Sequence, residues 1–165
     1  MALSKLDNLY RQIILDHSSH PHHHGTLDQS SQQIELNNPT CGDVIHLELA
    51  IDDQGLIQDI AFHGHGCSIS TASASMMTDA VIGKTLEQAK ELSAAFSELV
   101  QGQEITLEDE LGDASMLSGV AKFPARIKCA TLAWKALDKA IANPTETKIT
   151  EEIKHEEWSM WAYQS

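Results

Sequence analysis

The sequence predicts an α+β domain, a small three-stranded antiparallel sheet with helices packed to one side of it. Two alternating apolar runs, Ile45 to Ile51 and Leu56 to Phe62, are joined by DDQG and predict a β-hairpin. Helical periodicity brackets that hairpin, before it in LDNLYRQIILDH and after it in three further segments. The chain has 165 residues, 42% of them hydrophobic, enough for one domain with its own core and too few for a second full one.

Ser4 and Asp7 start the first helix, and Leu6, Leu9, Tyr10, Ile13 and Ile14 recur at helical spacing until His17 and Ser18. HPHHHG follows, with His20, His22, His23 and His24 ahead of Gly25. It is read as a solvated loop, although histidine-rich tracts also bind metal. A short strand around Gln33 to Leu36 completes a sheet of three with the hairpin. SISTASASMMTDAVIG, rich in small residues and methionine, predicts a closely packed helix stopped at Gly83. Thr85 and Gln88 form a capping box for the next helix, whose Leu86, Ala89, Leu92, Phe96 and Leu99 make one face. Gln103 to Asp113 holds five acidic residues and no basic one, which suits a solvated connection. Pro124 suits the first turn of a long helix reaching about Asn143, and Pro144 helps to stop it. The domain is therefore assigned to residues 1–143. Residues 144–165 form an acidic C-terminal tail in which Trp158, Trp161 and Tyr163 are expected to fold back on the domain.

A formal charge of −13, with 11 Lys and Arg against 24 Asp and Glu, argues against nucleic acid and against an anionic membrane surface, both of which are held by basic patches. No apolar stretch approaches the roughly 18 residues of a spanning helix, and the start of the chain lacks the pattern of a secretory signal. These features predict a soluble, cytoplasmic protein whose cysteines are reduced.

Cys41 in PTCGD precedes the hairpin, Cys67 in HGHGCS follows it, and Cys129 in RIKCAT lies early in the last helix. Pairing of the hairpin strands brings Cys41, Asp43 and Cys67 to one end of the sheet, and a helix across that end adds Cys129. Three thiolates and one further ligand describe a tetrahedral zinc site. Asp43, two residues from Cys41 and so on the same side of an extended segment, is preferred as fourth ligand to His65 or His63. Lys128 would first have to lose its proton. Arg126, three residues before Cys129, shares its helical face and suits a supporting or partner-contacting role. Two other readings stand on the residues alone. The three thiols could be unrelated small hydrophobes of the core, since there is no CxxC pair. A cysteine hydrolase is the weaker alternative, because nothing locally pairs a nucleophile with an oxyanion hole.

LYRQIILDH, PTCGD, GCSISTASASMM and FPARIKCATLAW, in this order, resemble the SufU proteins of iron–sulfur cluster assembly, relatives of the IscU scaffolds, and the likeness runs from Leu9 to about Ala142. The resemblance implies the same small sheet with flanking helices, and one Zn²⁺ held by Cys41, Asp43, Cys67 and Cys129. It implies a zinc-dependent sulfurtransferase, with Cys41 accepting sulfur from the persulfide of a pyridoxal-phosphate-dependent, SufS-like cysteine desulfurase. The sulfur then passes to downstream iron–sulfur assembly proteins. Arg126 matches the arginine of the family's FPARIKC segment. One alternative is an IscU-type scaffold that builds a [2Fe–2S] cluster on the same residues; another is a zinc-stabilised adaptor without sulfur transfer. IscU scaffolds have a histidine where this chain has Lys128, and lack the segment containing Gln103 to Asp113. Both departures favour SufU.

Overall fold

A computed structural model describes residues 2–38, 42–142 and 148–152. Helix α1 (Ala2–Ser19) leads into strands β1 (Gln32–Asn38), β2 (Asp43–Ile51) and β3 (Ile57–His65). Helices α2 (Ser68–Val81), α3 (Leu86–Val100) and α4 (Glu108–Leu111) follow, then a 3₁₀ segment (Gly112–Lys122), α5 (Pro124–Ala142) and β4 (Lys148–Glu152). The three predicted strands form the antiparallel sheet, β1 pairing with β2 and β2 with β3. β4 adds to the outer edge of β1 in parallel, giving the order β3-β2-β1-β4. It arises from KITEE, whose charges hid it from a search for apolar alternation. Trp158, Trp161 and Tyr163 lie outside the described residues.

Period-two alternation puts Ile34 and Leu36 of β1 and Ile45, Leu47 and Leu49 of β2 on one buried face. In β3 the simple alternation fails. A bulge opposite Ala50 and Ile51 shifts the register, since Ala50 faces Asp59 but Ile51 faces Ile57. The extra residue turns Ile57 into the core together with Ile60 and Phe62 and leaves Leu56 only half-buried.

α2 is the central helix. Its Ala72, Ser73, Ala74 and Ser75 are all buried, and side chains this small let α1 and α5 pack close against it. Polar atoms brought inside find partners. The Ser73 hydroxyl donates to the Ala130 carbonyl of α5, and the Trp134 indole N–H donates to Ser73 Oγ at 3.2 Å. Trp134 also stacks on Phe96 of α3, with ring centroids 4.5 Å apart, which locks α5 between α2 and α3. Thr85 and Gln88 make the predicted reciprocal capping box of α3.

Two segments read as solvated connections stay largely exposed but also make tertiary hydrogen bonds. The histidine loop lies on α2: His23 Nδ1 is 2.9 Å from Thr78 Oγ1 and the His22 backbone N–H donates to Ser75 Oγ at 2.7 Å. The acidic stretch contains α4, whose Leu111 is buried, and it ends with Asp113 2.9 Å from Nε2 of the buried His17. In both cases the partner lies more than fifty residues away in sequence, beyond any local pattern. Among the described residues, no helix is long and apolar enough to cross a membrane.

Candidate metal centre

Asp43 is the first residue of β2 and Cys67 is the N-cap of α2, directly after β3. The register pairs Val44 with His65, so the start of β2 and the exit of β3 leave the sheet at the same end, as the hairpin argument requires. Cys129 reaches that end from the second turn of α5. One ligand atom from each of Asp43, Cys67 and Cys129 lies within 4.8 Å of the other two. Asp43 and Cys129 are buried and Cys67 is half-buried.

The local chemistry leaves the Cys67 side chain and one Asp43 oxygen available to a cation. Cys67 caps α2 with its backbone only: its carbonyl accepts from the Thr71 N–H at 3.0 Å and from the Ser70 hydroxyl at 3.1 Å, while its side chain makes no cap hydrogen bond. Its sulfur therefore sits at the N-terminus of α2 without a capping role. Asp43 Oδ2 is buried and has no hydrogen-bond partner among the described residues. An orphaned carboxylate oxygen in the interior is costly, and a cation held jointly with two sulfurs removes that cost. Two thiolates and a carboxylate suit borderline-soft Zn²⁺. The donors thus fit the ion that their residue types predict.

Two glycines keep the space open. A Cβ on Gly66 would overlap Ser70 Oγ and come into van der Waals contact, at 3.6 Å, with the Asp43 carboxyl carbon, so Gly66 leaves room beside the ligand. Gly64, at φ +150°, would drive a Cβ into the Val44 carbonyl oxygen, the neighbour of Asp43 on the paired strand. The sequence showed both glycines, but only the structure shows that Gly64 approaches the Val44 backbone and Gly66 the Ser70 side chain.

Cys41 lies outside the described residues. His63 is not part of the cluster: its ring stacks on His46, with centroids 4.6 Å apart and 11° between planes. His65 is exposed, beside the cluster but not among its three donors. Arg126 is exposed in the first turn of α5, its backbone N–H donating to the Phe123 carbonyl at 2.8 Å. Lys128 is half-buried.

A family model described as NifU-like N terminal domain matches residues 9–130. The chain is 62% identical over 141 residues to an iron-sulfur cluster assembly scaffold protein IscU of Streptococcus pyogenes serotype M1, covering 86% of this chain and 87% of that one. It is 52% identical over 139 residues to the zinc-dependent sulfurtransferase SufU of Bacillus subtilis (strain 168), covering 84% and 93%. The crystal structure of an iron-sulfur cluster assembly scaffold protein for the SUF system from Fervidobacterium islandicum AW-1 superposes with a TM-score of 0.74 at 35% identity, over 79% of this chain and 94% of that one.

Proposed function

The chain belongs to the family of NifU-like N-terminal domains, and on that premise we propose that it serves iron–sulfur cluster assembly as a zinc-dependent sulfur acceptor. The observation that carries this reading is the buried Asp43 Oδ2, without a hydrogen-bond partner among the described residues and set among the Cys67 and Cys129 donors. Cys41, two residues before Asp43 in sequence, supplies the fourth ligand and makes the set three sulfurs and one oxygen. When bound, Zn²⁺ supplies a positive charge that keeps its thiol ligands deprotonated at neutral pH. The relative at 52% identity named a zinc-dependent sulfurtransferase has the same kind of dependence in its name.

The transfer step belongs to Cys41. Its thiolate attacks the terminal sulfur of a persulfide on a SufS-like cysteine desulfurase; a bond forms between Cys41 Sγ and that sulfur, and the desulfurase's own S–S bond breaks. The electron pair leaves on the desulfurase thiolate, so the exchange needs no outside oxidant or reductant. Downstream assembly proteins take the sulfur from Cys41 in the same way. Phe123, 63% exposed, and the exposed Arg126 stand together at the start of α5, where they offer the desulfurase an apolar and a cationic contact. Reduced thiols and this chemistry suit the cytoplasm.

Cys41→Ser is expected to abolish persulfide transfer from a desulfurase; normal turnover in that variant would remove the assignment. Arg126→Ala is expected to lose transfer while keeping its zinc, and a parallel loss of both would make Arg126 structural. The name of the Streptococcus pyogenes relative favours a second reading, a scaffold on which a [2Fe–2S] cluster is built. Anaerobic reconstitution with iron and sulfide separates the two. Zinc alone with no visible absorption supports transfer, and a stable cluster spectrum supports the scaffold. A chain that leaves desulfurase turnover unchanged would instead be a zinc-stabilised adaptor.

A further inference from the structure

The histidine loop and α2 meet in a second cluster that the sulfur chemistry does not use. One ligand atom from each of His17, His22 and Asp79 lies within 4.8 Å of the other two. His22 Nδ1 is 2.5 Å from Asp79 Oδ2, and His23 Nδ1 is 3.5 Å from the other carboxylate oxygen. His23 holds φ at +57°, a conformation that non-glycine residues seldom adopt. The loop thus turns two successive imidazoles onto one carboxylate at some conformational cost. Asp79 itself is in the last turn of α2, where the helix has no basic residue. A carboxylate there faces the negative end of the helix dipole, and a cation beside it offsets that penalty.

His17 completes the arrangement from behind. The Asp113 carboxylate can only accept, so His17 Nε2 carries the hydrogen it donates at 2.9 Å. In that tautomer Nδ1 accepts from the Ser75 hydroxyl at 2.7 Å, and Ser75 Oγ in turn accepts the His22 backbone N–H at 2.7 Å. With Nε2 held by a carboxylate, Nδ1 keeps a lone pair and an oriented ring, the carboxylate–histidine relay common behind protein-bound metal ions. His22 is exposed and its ring proton can move to Nε2 through solvent, so a neutral imidazole ligates without net proton loss.

We propose that His17, His22 and Asp79 form a second divalent-cation site, specific for first-row transition ions that bind imidazole and carboxylate rather than for hard Mg²⁺ or Ca²⁺. It is independent of the thiolate cluster and joins α1, the histidine loop and α2. His23 stands next to the site, and water fills the remaining coordination positions.

The test titrates the full-length apo chain with Co²⁺ under anaerobic conditions, with absorption and equilibrium dialysis read together. Co²⁺ on thiolates gives a strong near-ultraviolet charge-transfer band; Co²⁺ on imidazole and carboxylate gives only weak visible bands. The wild type is expected to bind one equivalent that adds nothing to the thiolate band. His22→Ala and Asp79→Asn, both at exposed positions, are each expected to weaken that equivalent by at least about 10–100-fold, the loss seen even for groups one step removed from a metal, and to leave the thiolate band intact. Absence of the thiolate-free equivalent in the wild type, or wild-type affinity in either variant, overturns the proposal. Paramagnetic broadening in the wild type gives a readout that needs no variant: once the thiolate band has saturated, further Co²⁺ is expected to broaden the ring signals of His17 and His22 and to leave those of His46 and His63 unchanged, and further broadening of His46 and His63 without His17 and His22 overturns the site. The thiolate band reports on the sulfur ligands Cys41, Cys67 and Cys129 and on no histidine, so failure of that site and failure of this one are told apart in the same titration.

Discussion

Two donor clusters lie at opposite ends of α2, with Cys67 and Asp79 about 18 Å apart along the helix at 1.5 Å per residue. Their hydrogen bonding is opposite in kind. At the N-terminal end two of the three donors, Asp43 and Cys129, are buried, and Asp43 Oδ2 has no partner among the described residues. At the C-terminal end each group already has one: Ser75 and Asp113 for His17, Asp79 for His22. On the readings proposed above, an ion completes the first cluster by meeting the Asp43 oxygen. In the second, an ion competes with hydrogen bonds already made and with water. The same helix would then carry a site whose metal is part of its folding energy and one whose metal exchanges with the solution.

The largest expected effect is on the first site. Asp43→Ala or Cys67→Ser is expected to lower zinc affinity by more than about 100-fold, since direct ligands matter at least as much as the groups that support them. Metal content after dialysis against a chelator measures this, and full retention of zinc by both variants would remove the site. Gly66→Ala comes next. Its new Cβ overlaps Ser70 Oγ, a hydroxyl that can rotate away, and meets Ser70 Cβ at 3.3 Å, so the overpacking cost falls at the lower end of the usual range, about 1 kcal/mol. Denaturant unfolding is expected to show that loss together with reduced zinc occupancy. The double change Gly66→Ala, Ser70→Ala is expected to restore part of both, because it removes the atom that the methyl group meets. Neither pair of changes is expected to alter the histidine cluster.

The same contrast explains how much could be read from the sequence. The capping box of α3, the small-residue character of α2 and the placing of Asp43 beside Cys67 all follow from local rules: a cap signature, side-chain volume, and the geometry of a hairpin. Each depends on residues that are near neighbours in the chain or in the register of one turn. The pinned histidine loop does not. Nothing near HPHHHG indicates that Asp79 would meet it, and Asp113 meets His17 only because the acidic stretch packs over the end of α1. The β3 bulge was hidden for a related reason: LIQDIAF fits an alternating pattern in either register, and the pairing of Ile51 with Ile57 decides between them. β4 pairs through its backbone, to which side-chain patterning is blind. Local chemistry was legible, and long-range satisfaction of polar groups was not.

The smallest effect tests whether the second cluster is as self-sufficient as its hydrogen bonds imply. Asp113→Ala removes the acceptor of His17 Nε2–H. A buried donor left without a partner costs about 1–3 kcal/mol. The Asp113 side chain is 49% exposed, so water has access to the position it vacates, which places the expected loss near the lower end, about 1 kcal/mol. The shift of a urea unfolding midpoint at constant slope measures it, and zinc content is expected to stay at the wild-type level. A loss well above 3 kcal/mol would mean that water does not reach His17. The histidine would then be a fixed piece of the core, unable to exchange the Ser75 hydroxyl for an ion, and the contrast between a site that requires its metal and one that merely admits it would reduce to a single site and a structural hydrogen-bond network.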